Sequence, residues 1–220
     1  MVPALLSAGN GPATKPLKIL ILGGTGFLGP HTVEYALKRG HEITLFNRGR
    51  TNPHLFPDME KIVGDRRESH DALRGRKWDV VIDTSGYYPR VVREAAAALE
   101  GNVGQYIFIS TISVYADFSE PGLNEHSPVG VIDDETYGPL KALCEQAAEK
   151  AMPGRACNIR PGLIVGPMDR SDRFTYWPVR IARGGEVLVP DTPDVVTQVI
   201  DVRDLAEYIV GCAEKHINGT

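Results

Sequence analysis

The sequence has only three cysteines, Cys144, Cys157 and Cys212, with no CxxC among them. An odd, widely spaced set gives no disulfide frame, and each reads as a small buried hydrophobe in a reducing compartment. The six histidines are scattered without an HExxH or HxxxH pair, so no metal site is expected. No apolar run approaches the length of a membrane span. Strong charge of either sign is missing too: the net charge is −4, with acids and bases interspersed. That leaves no field to draw the chain to nucleic acid or to an anionic membrane. Internal repeats and low-complexity tracts are also absent.

What remains is an ordinary globular balance, 42% hydrophobic and 24% charged over 220 residues, enough for one large domain. Residues 1–16 (MVPALLSAGNGPATKP) are rich in Gly, Pro, Ala and Ser and read as a flexible leader. They lack the basic start and the apolar core of an export signal. A cytoplasmic location is therefore expected, with a lost N-terminal signal as the alternative.

Apolar runs then alternate with helical patterns. LKILIL (17–22), HEITLFN (41–47), KIVGD (61–65), WDVVIDTSG (78–86), QYIFIS (105–110) and RACNIRPG (155–162) read as strands. A helix follows the first, with Val33, Ala36 and Leu37 on one face and Gly40 as its stop. VVREAAAALEG (91–101) is a second. A third opens at Tyr137, with Thr136 as N-cap and Leu140, Cys144, Ala147 and Ala148 as its buried stripe. The alternation predicts an α/β fold: a doubly wound parallel sheet with helices on both faces. Asp201 and Asp204 are expected to cap the last helix. The polar stretch 116–135 is too long for an idle loop and reads as functional or mobile.

Gly23, Gly26 and Gly29 stand between the first strand and the first helix. One glycine makes the tight turn, one admits a pyrophosphate to the backbone, and one lets helix and strand pack closely. The helix start adds free N–H groups and a positive dipole end. Thr25, Phe27 and Leu28, between these glycines, belong to the same cradle. About 20 residues on, where a carboxylate would hold the ribose of NAD, the sequence reads LFNRGR. Asn47 fills the slot with Arg48 and Arg50 behind it, so NADP is favoured as cofactor and NAD is the alternative.

TYGPLKALC (136–144) places Tyr137 and Lys141 one helical turn apart on one face. Alone, such a pair is far more often two residues sharing a helical face than a catalytic device. The order of motifs decides how it is read. LILGGTGFLG, VGDRR, FISTISVY, YGPLK, IRPGLIVGP and QVIDVRDLAE together resemble the extended or atypical short-chain dehydrogenase/reductases, the NAD(P)-dependent epimerase/dehydratase family. The resemblance covers residues 18 to about 212. It implies a Rossmann-type nucleotide domain over 17–165, then a partial substrate-side region over 166–220 that includes the last Rossmann strand and helix.

The resemblance implies catalytic roles for Thr111, Tyr137 and Lys141, with Ser110 and Ser113 as near competitors of Thr111. Asp65, with Arg66 beside it, falls where family members contact the adenine. Thr84 and Ser85 end the fourth strand, and Pro161 with Gly162 falls beside the nicotinamide. Lys141 is also implied on the nicotinamide ribose. A lysine ammonium near a tyrosine lowers the phenol's pKa, so Lys141 is expected to activate Tyr137. Ser113, Arg173, Tyr176 and Trp177 are candidate substrate contacts, the two aromatics closing the far side of the cleft; a helix packing its aromatic face on the sheet is the competing reading. Tyr137 and Thr111 should then meet within about one bridging water in a single cleft.

Two departures stand out. DTSG (83–86) replaces the small-residue stretch, such as HxAA, that many relatives carry after the fourth strand. The sequence also lacks the roughly one hundred further residues of a full substrate domain, so either truncation or a minimal lid is expected. The expected partner is a small hydroxy, keto or sugar-like substrate, and a homodimer is one assembly open to the chain. A redox-inactive NAD(P)- or RNA-binding protein, or a cofactor sensor, is the alternative function on this fold.

Overall fold

The computed structural model describes residues 11–13, 15–130, 136–190 and 196–220. Most of the expected leader, and the last five residues of the 116–135 loop, lie outside the described residues.

Six parallel strands form one sheet: β1 (Lys18–Leu22), β2 (Glu42–Asn47), β3 (Glu60–Val63), β4 (Trp78–Asp83), β5 (Val103–Ile109) and β6 (Ala156–Ile159). Their order is β3-β2-β1-β4-β5-β6. The chain reverses its direction of travel across the sheet between β1 and β4, the point where such sheets bind nucleotides. A second, two-stranded parallel sheet pairs β7 (Leu163–Val165) with β8 (Val199–Asp201). The run 155–162 is therefore not one strand to its end. β6 stops at Ile159, and Arg160–Gly162 turns out of the main sheet before β7.

Side chains alternate across a strand, so each central strand feeds two cores. Ile19, Ile21, Val80, Ile82, Ile107 and Ile109 point to one face, against Val33 and Ala36 of α1 (Leu28–Lys38) and Leu205, Ile209 and Val210 of α5 (Val202–Glu214). Leu20, Leu22, Val81, Tyr106 and Phe108 point to the other. That face is covered by α2 (Pro89–Leu99) and α3 (Tyr137–Ala151). A short helix, α4 (Tyr176–Ala182), lies between β7 and β8 and buries none of its residues.

Three local expectations are corrected. Leu37 is exposed, because the buried face of α1 runs through Leu28, Thr32, Val33 and Ala36. Thr136 precedes α3 in an extended conformation but makes no side-chain capping bond. Asp201 caps α5 by accepting from the Arg203 N–H at 2.8 Å, whereas Asp204 sits within the first turn. The three cysteines are buried and free, and Cys157 and Cys212, distant in sequence, share one core.

Candidate functional site

A cleft of two lobes runs along the carboxyl ends of the strands. The smaller lobe, about 250 Å³, is lined by Thr25, Asn47, Arg48, Arg50, Asp65, Arg66 and Arg67, among others. The larger, about 810 Å³, takes in Phe27, Leu28, Gly29, Thr84, Thr111, Ser113, Tyr137, Lys141, Pro161 and Arg173. Gly23, Gly26, Ser85 and Tyr87 line both and form the neck between them.

The glycine loop is shaped as its spacing predicts. Gly23 has φ +99°, a conformation that favours glycine, and its N–H donates to the Phe46 carbonyl at 3.0 Å. A Cβ on Gly29 would lie 2.6 Å from the Gly23 carbonyl oxygen, so only glycine lets α1 sit this close to the loop. A Cβ on Gly26 would meet nothing nearer than 3.9 Å; this position opens on the cleft. Beside it, Asn47 Oδ1 accepts from the Gly49 N–H at 2.9 Å, while Asn47 Nδ2 is buried without a partner. In the larger lobe Ser110 Oγ is likewise buried and unpaired. Buried donors without partners are rare in proteins, and here they border a groove shaped for a phosphate-bearing ligand. The residues present fit a dinucleotide.

Tyr137 and Thr111 reach the same lobe from different elements. Thr111 lies two residues beyond β5 and opens a single 3₁₀ turn, Ile112–Val114, accepting from the Ser113 N–H at 3.2 Å. The Tyr137 phenol lies near Thr111 in this lobe. The contact depends on Gly138, since a Cβ there would collide with the Ser113 carbonyl oxygen. Thr111 thus bonds its own strand end, as Ser/Thr residues commonly do, and also meets the phenol.

The expected activation of Tyr137 by Lys141 is not what the structure shows. Lys141 turns inward: its ammonium donates to the Gly86 carbonyl at 2.8 Å and the Ile109 carbonyl at 2.6 Å, over the Phe108 ring at 4.2 Å. Burial lowers its pKa to about 8, against the opposing pull of Asp83. Burial raises the Tyr137 pKa, as does the neighbouring Tyr87, while Thr111 and Arg173 pull it down. The phenol therefore keeps its proton at neutral pH.

The structure brings together the candidates of the loop, the strand ends and α3, but not Tyr176 and Trp177. Those two pair edge to face at 5.2 Å on α4 and line neither lobe. Neither belongs to a core cluster of the sheet: Tyr176 is exposed and Trp177 half-buried. Leu163, Ile164, Thr197 and Gln198 complete the larger lobe instead. Arg66 lines the smaller lobe and also binds Asp83 through both Nη atoms. Tyr87 was not anticipated. It lies beyond a strand end in a loop, where no periodicity marks it, and its ring centroid stands 6.4 Å from that of Tyr137.

The profile of the NAD dependent epimerase/dehydratase family matches residues 19–220. The chain belongs to that family. Among relatives of this epimerase/dehydratase family member, the chloroplast stem-loop binding protein of 41 kDa b from Arabidopsis thaliana is 27% identical, over 88% of the chain and 54% of the relative. A UDP-glucose 4-epimerase from Neisseria meningitidis is 28% identical, over 59% of the chain and 46% of the relative. The chain spans about half the length of these curated relatives. The fold is also that of the Bordetella bronchiseptica enzyme WbmH, solved in complex with NAD+, with a TM-score of 0.73 at 21% identity over 90% of the chain and 73% of WbmH. A nicotinamide dinucleotide is the cofactor of the family, and no helix among the described residues is long and apolar enough to cross a membrane.

Proposed function

We propose that this family member is an NAD(P)-dependent oxidoreductase or epimerase/dehydratase acting on a small hydroxy, keto or sugar-like substrate through Thr111, Tyr137 and Lys141. One observation carries the reading: the Tyr137 phenol and the Thr111 hydroxyl stand near one another in the same lobe that holds Lys141 and the glycine loop.

A nicotinamide, when bound, supplies or accepts a hydride. The loop N–H groups at the start of α1 hold the pyrophosphate, and Asn47 with Arg48 holds the adenosine ribose. No carboxylate ends β2, which favours NADP over NAD. Thr111 orients the substrate oxygen that reacts. Tyr137, protonated at neutral pH, gives its proton to a carbonyl oxygen in the reducing direction and is reprotonated from solvent; oxidation of an alcohol draws on the phenolate form, which takes the alcohol proton. Lys141 places a positive charge beneath the cleft and reaches the nicotinamide ribose. Arg173 meets a polar or anionic group of the substrate.

The test is a panel of alcohols, ketones and nucleotide sugars followed by nicotinamide absorbance, with Tyr137→Phe as control. No turnover on any substrate, with cofactor bound, would overturn the enzymatic reading. A second reading, a redox-inactive RNA-binding protein, is favoured by the name of the Arabidopsis relative alone. A net charge of −4 opposes it, since phosphate-backbone binding draws on excess basic charge. Salt-dependent RNA binding run beside the substrate panel separates the two.

A further inference from the structure

Asp83, the last residue of β4, is fully buried. Its Oδ1 accepts from Arg66 Nη1 at 2.5 Å and from the Ser85 N–H at 3.0 Å. Its Oδ2 accepts from Arg66 Nη2 at 2.7 Å and from the Tyr106 hydroxyl at 2.7 Å. Four donors on two oxygens satisfy the carboxylate, the condition under which a buried ion pair is tolerated. Burial alone would raise the Asp83 pKa; the forked Arg66 charge overcomes that and holds the carboxyl below its usual range.

The network reaches both lobes. Arg66 sits in the turn after β3 that lines the smaller lobe, and its Nη1 also donates to Ser85 Oγ at 2.9 Å. Ser85 stands at the neck, its hydroxyl donating to the Leu22 carbonyl at 3.2 Å, and its Cβ lies 2.9 Å from where a Cβ on Gly23 would be. The next residue, Gly86, offers its carbonyl to the Lys141 ammonium. A side chain on Gly86 would strike the Phe108 ring at 2.6 Å and come within 3.1 Å of Asp83 Oδ2, so the arm lies flat on the network. All this is built on DTSG, the stretch where the sequence departs from the small-residue pattern of its family.

We propose that Arg66, Asp83 and Tyr106 are positioning residues: together they fix the arm 84–87, setting the Ser85 hydroxyl at the neck of the cleft and aiming the Gly86 carbonyl at Lys141. The adenosine-side turn and the lysine are thereby held by one continuous set of bonds. The functional side of this proposal rests on the reading of the cleft as a dinucleotide site. An apolar trio of similar volume could pack the same space as stably, but it would fix neither the hydroxyl nor the carbonyl. The charged and titratable groups facing Lys141 are Asp83, Arg66, Cys144 and Glu145, with the Tyr87 ring centroid 5.4 Å from its ammonium.

The test uses Tyr106→Phe, which removes one donor and keeps the ring, and Ser85→Ala, with Asp83→Asn as the stronger perturbation. Amide hydrogen exchange by mass spectrometry reads the arm without any cofactor. In Tyr106→Phe, exchange should rise over residues 84–87 and the first two turns of α3, with the thermal midpoint lowered by only a few degrees. NADPH affinity should fall about tenfold, the size of one lost charge-assisted hydrogen bond, and its alkaline limb should move to lower pH. Folded Tyr106→Phe and Ser85→Ala variants with wild-type exchange over 84–87 would overturn the proposal, whether or not Asp83→Asn folds. Changed exchange with unchanged affinity and pH profile would overturn the link to the cofactor. Wild-type protein that binds no NADPH or NADH would instead overturn the function proposed above, and the exchange experiment would still decide the positioning role.

Discussion

Lys141 donates to the carbonyl of Gly86 at 2.8 Å, across 55 residues of sequence, from a side chain only 4% exposed. A charged group so buried titrates differently in the folded and unfolded chain. Its folded pKa, about 8, lies below the ordinary lysine value of 10.5. Between those two pH values the unfolded chain binds the additional proton, so stability rises with pH across the window. Below about pH 8 both states are protonated, and the penalty for burying the charge is fully present. Denaturant titrations of wild type and Lys141→Met from pH 7 to 10.5 should show a difference that changes by roughly 3 kcal/mol in favour of wild type as pH rises. A pH-independent difference would show that Lys141 is not held as described.

Tyr137→Phe should lower turnover by about a hundredfold or more, the range of a positioned general acid, and leave NADPH affinity within about twofold. The phenol meets Thr111 and the substrate side of the cleft, not the phosphate loop. Steady-state rates and fluorescence titration check the two halves. Activity retained in the variant would remove Tyr137 from the chemistry.

Gly26 and Gly29, one in the loop and one in the helix, should respond differently to alanine. Gly29→Ala places a Cβ 2.6 Å from the Gly23 carbonyl oxygen and 2.7 Å from the Gly24 backbone, so the fold must shift. It should destabilise the protein by about 1–3 kcal/mol, the range for overpacking. Gly26→Ala meets no neighbour closer than 3.9 Å, so stability should hold while the methyl intrudes on the cleft and weakens cofactor binding about tenfold. Thermal melts beside cofactor titrations separate the cases.

Cofactor choice should turn on Asn47 and Arg48, which line the smaller lobe together. Wild type should bind NADPH more tightly than NADH. Asn47→Asp supplies the missing ribose-binding carboxylate and, combined with Arg48→Ala, should invert that order. Equal affinities in wild type, or tighter NADH binding indifferent to Arg48→Ala, would refute the NADP preference.

Local chemistry alone determined the strand–glycine loop–helix unit, the two-faced character of the central strands, and the placing of Tyr137 and Lys141 one turn apart on a single helix. Each follows from spacing: period two for Ile19–Leu22, three glycines at fixed intervals, one helical turn between the pair. Where the Lys141 ammonium points was decided in three dimensions, because the carbonyls of Gly86 and Ile109 reach it from two other strand ends. The same holds for Arg66, which the resemblance sets beside the adenine contact in VGDRR and which becomes the partner of Asp83 once β4 lies beside the turn after β3. Tyr176 and Trp177 read as a substrate wall from composition, yet α4 carries them away from both lobes. Periodicity records which face of an element meets a core; it holds no record of which distant polar groups will close on one another. Those pairings form only when the sheet brings strand ends together, and in this chain they lie at the neck of the cleft.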